Sequence, residues 1–254
     1  MMQVLASKRI NIACYNIHHG ADINDNYNIQ KIISTIENMN SDVICLQEVD
    51  NNYSERSLNQ QQPQILAQQI QGIKESYFSP TIKNSYGILT LSKEKIIDYH
   101  TQILITGLKE DRTFQYVKLE NGLQIIHFHL NNSYDQQRSR YHQVLTIFDI
   151  LDKKQIDIKN KTIICGDFNE DCDEQKYCEQ ESVFDLLGDK KFFNAKKLHE
   201  QKSGTQDNLF TFSRKQKNKN IDHFYVTNDI NINSFRIIES DASDHNPIFL
   251  CVQM

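Results

Sequence analysis

The chain has 254 residues, 39% of them hydrophobic and 24% charged, with a net charge of −5; that is the balance of a globular protein long enough to bury a sizeable core. The acidic excess excludes a global positive field that would recruit nucleic acid or acidic membranes, so an anionic substrate must be held by local groups or by metal. No apolar run approaches the ~18 residues of a spanning helix, which leaves no transmembrane anchoring to expect.

In chain order, residues 10–15 read as a short strand ending at Asn16. Residues 27–39 read as a helix, because Ile29, Ile32, Ile33, Ile36 and Met39 recur at three-to-four spacing. A continuous apolar strand follows at 42–46, ending at Gln47 and Glu48, then a helix at 63–70 with Pro63 in its first turn. Strands are expected at 87–91, 113–119 and 123–130, the last alternating apolar and polar residues as far as His129. A second clear helix spans 138–151, a strand 162–165, and strands at 221–226 and 247–252 close the chain. Only three prolines occur, and no linker, repeat or low-complexity block interrupts the series. The expectation is one domain over 1–254, with strands in two packed sheets and helices outside.

Of the six cysteines, Cys14, Cys45, Cys165 and Cys251 sit inside apolar strand-like runs, where a reduced thiol behaves as a small hydrophobe. Cys172 and Cys178 lack zinc-site spacing and a second pair. The N-terminal stretch MMQVLASKRINIACYN has neither the apolar core nor the cleavage site of a signal peptide. These features point to a reducing compartment, the cytoplasm, and no obligate protein partner is evident.

The strand ends are where the chemistry gathers. "CYNIHHG" places Asn16 at one, "ICLQEVD" places Glu48, "IIHFHLNN" places His129 and "IICGDFNE" places Asp167 and Asn169. "KNIDHFYV" opens a strand with Asp222, and "SDHNPIF" sets Asp244 and His245 just before the last. Each alone is an ordinary turn residue; six strand ends punctuated alike suggest a convergent cluster of carboxylates, imidazoles and amides. Hard oxygen donors suit Mg²⁺ or Mn²⁺ rather than zinc. Crowded carboxylates repel unless a cation sits among them. Metal, His and Asp together can neutralise phosphate oxygens, align water and stabilise developing charge. No G-x-S-x-G elbow and no G-x-x-x-x-G-K-[ST] loop occurs, which disfavours a serine hydrolase and a P-loop NTPase.

In this order, "CYNIHHG", "LQEVD", "HFHL…R…Q", "GDFNE", "IDHFYVT" and "SDHNPI" resemble the endonuclease/exonuclease/phosphatase superfamily of DNase I-like metal-dependent phosphohydrolases, across residues 10–252. The resemblance implies a four-layer α/β sandwich with two packed mixed sheets flanked by helices, and divalent-metal-dependent hydrolysis of phosphoester bonds by water attack at phosphorus. It implies Glu48 as principal metal ligand, with Asn16 and Asp244 completing or supporting the site. Asp167 would align or deprotonate the attacking water, with Asn169 as its hydrogen-bonding neighbour. His245 would contact the scissile phosphate, Asp222 would orient His245, and His129 would face the phosphate from the other side. Arg56 and Arg112 match arginines frequent in small prokaryotic relatives and are candidates for substrate binding. "YGILTLS" departs from the pattern with Ile88 where many relatives have Asn, and "TFSRKQKNKNIDHF" carries Lys215, Lys217 and Lys219 in a longer basic loop. The substrate is therefore a phosphoester of open class: nucleic acid, phospholipid headgroup or small phosphoester. The alternatives are an endonuclease acting on DNA and a catalytically silent binding module of the same fold. His18 and His19 belong to the first motif without an assigned role.

Overall fold

The computed structural model describes residues 8–82, 85–105, 110–132, 137–171, 182–214 and 217–254; Cys172, Cys178 and Lys215 lie outside them. The described elements run β1 (Arg9–Asn16), α1 (Ile29–Met39), β2 (Val43–Asp50), α2 (Gln62–Gln69), β3 (Glu75–Ile82), β4 (Tyr86–Ser92), β5 (Ile96–Leu104), β6 (Arg112–Leu119) and β7 (Gln124–His129). They continue with α3 (Gln137–Lys153), β8 (Thr162–Asp167), α4 (Val183–Asp189), β9 (Phe192–Asn194), α5 (Ala195–Ser203), β10 (Phe212–Arg214), β11 (Lys217–Lys219), β12 (Asp222–Thr227), β13 (Asn231–Ile237) and β14 (Ile248–Gln253).

One six-stranded sheet is ordered β13-β14-β1-β2-β4-β3 and the other β5-β6-β7-β8-β12-β9. Each is mixed, with one parallel pair among antiparallel neighbours: β1 with β2, and β7 with β8. β10 and β11 form a separate hairpin.

Period-two alternation builds the layers. On β1, Ile10, Ile12 and Cys14 join the core between the sheets, together with Val117, Ile125, Ile163, Phe224 and Leu250. The intervening Ala13 and Tyr15 pack outward with Ile29, Ile32, Ile33 and Ile36 of α1. Because both faces are covered, the central strands read as unbroken apolar runs. α1 starts two residues later than the periodicity suggests, because Asn28 is its N-cap and accepts from the Lys31 N–H at 3.2 Å. On the far side, Val144, Ile147, Phe148 and Leu151 of α3 and Leu186 and Leu187 of α4 cover Ile126, Phe128 and Ile164. The result is helix, sheet, sheet, helix, the four-layer sandwich expected. Among the described residues no helix is long and apolar enough to cross a membrane. Cys14, Cys45, Cys165 and Cys251 are free and, as expected, buried.

The inter-sheet core is not wholly apolar. The Gln47 amide Nε2 donates to His127 Nε2 at 2.6 Å, which leaves the His127 proton on Nδ1, facing Thr90 Oγ1 at 3.3 Å. Thr90 Oγ1 donates to Gln115 Oε1 at 2.6 Å, and Gln115 Nε2 donates to Ser79 Oγ at 2.8 Å. Burial pushes His127 down to about 3, so it stays a neutral member of this chain of bonds. The network ties β2 and β4 of one sheet to β6 and β7 of the other, directly behind the strand ends that carry the polar residues.

Candidate active site

Register delivers the first three groups. β7 and β8 run parallel with His129 opposite Asp167, and β12 runs antiparallel with Asp222 opposite Asp167. The three side chains therefore form one row across adjacent strands. The close approach of β8 to β7 needs Gly166, where a Cβ would lie 1.9 Å from the Phe128 carbonyl oxygen. From the other sheet, Asn16 ends β1. Glu48 sits in a bulge of β2, where pairing with β4 slips between Leu46 and Val49 and Glu48 takes φ 57°. An extra residue in a strand turns a side chain out of the alternating pattern, and here Glu48 lines the cleft while Gln47 stays in the core. The last loop is tied to β1 by Ser243 Oγ, which donates to the Asn16 carbonyl at 2.8 Å and accepts from the His245 N–H at 3.2 Å.

These elements close around a cleft of about 630 Å³ lined by Glu48, His129, Asp167, Asn169, Asp244 and His245, among others. Asp167 is its centre. Its Oδ1 accepts from the Asn169 N–H at 2.8 Å and its Oδ2 from Asn16 Nδ2 at 2.9 Å. His129 Nε2 lies 3.5 Å and His245 Nε2 3.7 Å from the same Oδ2. His245 Nδ1 donates to Asp222 Oδ2 at 2.8 Å. Asn169 also donates through Nδ2 to the Leu130 carbonyl at 3.0 Å, which fixes the chain just past β8 against the end of β7.

The charges follow from burial. Asp167, out of water and facing the Asp222 carboxylate, is pushed up to about 7. Burial alone would discharge His245, but the Asp222 carboxylate and its hydrogen bond, with Asp167 and Asp244 nearby, raise it to about 10. His129 goes the other way: burial first, then the Arg112 and His245 charges, hold it well below the usual histidine range. One imidazolium and one neutral imidazole thus flank a carboxylate poised near neutrality.

The sequence candidates Asn16, Glu48, His129, Asp167, Asn169, Asp222, Asp244 and His245 are therefore brought to one mouth of the sandwich. The two arginines lie elsewhere. Arg56 grips the fully buried Asp50 through Nε and Nη2 at 2.9 and 2.6 Å and stacks 4.6 Å over the Tyr53 ring. Arg112 is 2% exposed, pairs with Glu110, and leaves Nε without a partner among the described residues. Neither lines the cleft.

Further residues line the cleft. Arg140 and Glu170 form a buried pair at 2.8 Å. His18 and Arg214 meet at the mouth, and Lys217 and Lys219 lie on its wall. Lys217 and Lys219 are legible in the basic loop, Glu170 in "GDFNE" and His18 in "CYNIHHG", whereas the sequence singles out neither Arg140 nor Arg214.

Among the described residues, Asp167, Asp222 and His245 bring donor atoms within 4.8 Å of one another, two carboxylates and an imidazole able to take a divalent cation. Glu48 and Asp244 offer carboxylate oxygens, and buried Asp244 Oδ1 has no hydrogen-bond partner among the described residues. Asn16 presents Nδ2 to Glu48 Oε1 at 3.1 Å, so in this arrangement it braces the Glu48 carboxylate.

The model of the Endonuclease/Exonuclease/phosphatase family matches residues 13–245. Among solved structures, an endonuclease/exonuclease/phosphatase from Beutenbergia cavernae DSM 12333 superimposes with TM-score 0.75 at 16% identity, covering 97% of this chain and 72% of that one. The mannosyl-6-phosphatase Bt3783 of Bacteroides thetaiotaomicron VPI-5482 gives TM-score 0.70 at 14% identity, with 95% and 98% covered. The human Nocturnin catalytic domain with bound sulfate anion gives 0.67 at 18% identity, with 97% and 94% covered. No curated protein matches the sequence. At these identities the structural likeness is one of fold.

Proposed function

The chain belongs to the endonuclease/exonuclease/phosphatase family, and from that premise we propose that it is a phosphoester hydrolase that depends on Mg²⁺ or Mn²⁺. The observation that carries this reading is the row His129, Asp167 and Asp222 in register, with His245 and Asn16 closing on Asp167 from the other sheet.

The proposed division of labour is the one the resemblance implies, and the geometry supports it. Glu48, braced by Asn16, would hold the cation with support from Asp244, and a cation held there would supply Lewis-acid chemistry to the phosphate oxygens. Asp167 orients the attacking water and takes its proton, and a carboxylate raised to about 7 is matched to that task near neutral pH. The Asn169 N–H and Asn16 Nδ2, one on each carboxylate oxygen, keep it in place. Asp222 fixes the proton of His245 on Nδ1, so the charged ring offers Nε2–H to the scissile phosphate. His129, neutral, faces the phosphate from the other side. Neither arginine lines the cleft, and Arg112 bears on it only through the charge that helps keep His129 unprotonated. Arg56 is saturated by Asp50.

The whole of 1–254 is read as one catalytic domain, and the four buried thiols suit a reducing compartment such as the cytoplasm. A nuclease is the second reading, favoured by Lys217 and Lys219 on the cleft wall. The mannosyl-6-phosphatase among the structural neighbours puts sugar phosphates beside it. The deciding experiment is a hydrolysis panel with Mg²⁺ and with EDTA. It spans bis-p-nitrophenyl phosphate, mannose 6-phosphate, plasmid and abasic DNA, RNA, sphingomyelin and inositol phosphates. Mg²⁺-dependent turnover of at least one is expected; none with any, or turnover unchanged by EDTA, contradicts the proposal.

A further inference from the structure

Arg214, at the end of β10, reaches across the cleft mouth to two other parts of the chain. Its Nη2 pairs with both Asp25 oxygens at 2.7 and 2.8 Å. Its Nη1 lies 3.2 Å from Asp244 Oδ2 and 3.2 Å from His18 Nε2. His18 Nδ1 faces the Ala21 carbonyl at 3.3 Å. In the tautomer that donates there, Nε2 offers its lone pair to Arg214. His18 and His19 both take left-handed backbone, with φ 44° and 46°, a strained placement that non-glycine residues keep only where surrounding contacts enforce it.

An imidazole nitrogen lone pair and a carboxylate oxygen are what a divalent transition ion takes as ligands. Here both face one guanidinium nitrogen. Asp244, 6% exposed, commits Oδ2 to Arg214 and leaves Oδ1, 3.8 Å from His18 Nδ1 and without a hydrogen-bond partner among the described residues, for the first cation. A guanidinium cannot be discharged in a protein, so its positive charge is permanent.

We propose that Arg214 is a built-in cation of the cleft, occupying between His18 and Asp244 the position a second divalent ion would take, and that it thereby holds the centre to one metal. This rests on the metal-dependent reading above. The plainer role is a latch that pins the β10–β11 hairpin to the loop carrying Asp25. Asp25 is 62% exposed in its side chain, and exposed ion pairs contribute little stability. The two roles separate by charge. Asp25→Asn breaks the latch and leaves the guanidinium. Arg214→Lys keeps the charge. Arg214→Gln and Arg214→Met remove it, and the pair guards against a folding defect in either one.

The test is Mn²⁺ binding stoichiometry on the metal-free chain, read from the electron paramagnetic resonance signal of free Mn²⁺. One bound ion is expected for wild type, Asp25→Asn and Arg214→Lys. Two are expected for Arg214→Gln and Arg214→Met, returning to one when His18→Ala is added. One ion in the charge-removed variants, or two in wild type, overturns the inference and leaves the hydrolase reading standing. No bound Mn²⁺ in wild type overturns both.

Discussion

At Asp167 each carboxylate oxygen has its own amide donor, Asn169 N–H on Oδ1 and Asn16 Nδ2 on Oδ2, and both histidine Nε2 atoms stand within 3.7 Å of Oδ2. Those distances make the flanking groups interdependent. Asp222 acts on the site through His245 Nδ1; without that bond the ring loses both its orientation and most of what keeps it charged. Asp222→Asn and His245→Ala should therefore each lower turnover, by about 10²–10⁴-fold if the imidazolium acts as a general donor. The double variant should be little worse than the worse single one. Steady-state rates on one phosphodiester, with melting temperatures as a control, decide it: losses that multiply would show that each residue acts alone.

Among the elements, the β7–β8 pair carries the row of site residues, and Gly166 permits its approach. Gly166→Ala places a methyl 1.9 Å from the Phe128 carbonyl oxygen at a backbone φ of 152°. The strands must part, at a cost of about 2 kcal/mol or more, or a melting temperature lower by about 5 °C, with activity falling because His129 and Asp167 lose register. Calorimetry on the purified variant checks this, and an unchanged melting temperature would contradict the packing described. Elements with both faces buried were the legible ones. The spacing of Ile29, Ile32, Ile33, Ile36 and Met39 marked α1, and the apolar runs ending in Asn16, Glu48 and Asp167 marked strands with site residues at their tips. The edge strands were not legible. β3 carries Pro80 and pairs only with β4, and β5 leaves Asp98 to Ile103 half-buried or exposed, so neither needs an apolar pattern. β9, β13, α4, α5 and the β10–β11 hairpin were likewise missed, being short or largely polar. In the site, strand-end residues showed themselves because polar groups interrupt apolar runs. His18 and Arg214, 196 positions apart, meet only through the fold.

Across the molecule, buried titratable groups set the pH dependence of the metal-free protein. His127 is held down to about 3 and His129 well below its ordinary 6.5. As pH falls below 6.5 the unfolded chain takes up protons that these two refuse, and stability is lost. His245, raised to about 10, contributes stability that is complete below 6.5 and lost as pH climbs towards 10. Asp167 is unusual for a carboxylate. Raised from 3.8 to about 7, it binds its proton more tightly when folded, so stability falls as pH rises through that window. The melting temperature in EDTA should therefore peak close to pH 6.5, and a steady climb to pH 9 would show that His245 and Asp167 do not hold protons as described. The molecule as a whole is an α/β sandwich whose two sheets bring Asn16 of β1, Glu48 of β2 and Asp244 and His245 of the last loop against the row His129, Asp167 and Asp222 of β7, β8 and β12. The proposed hydrolase turns on Glu48, set out of the strand by the bulge, holding a divalent ion beside Asp167. The most direct measurement is a Mg²⁺ titration of bis-p-nitrophenyl phosphate hydrolysis by wild type and Glu48→Gln, a near-isosteric change that removes charge. Saturable activation of wild type is expected, and for the variant a residual rate recovered only at far higher Mg²⁺. A folded Glu48→Gln variant with wild-type turnover at limiting Mg²⁺ would contradict that role for Glu48.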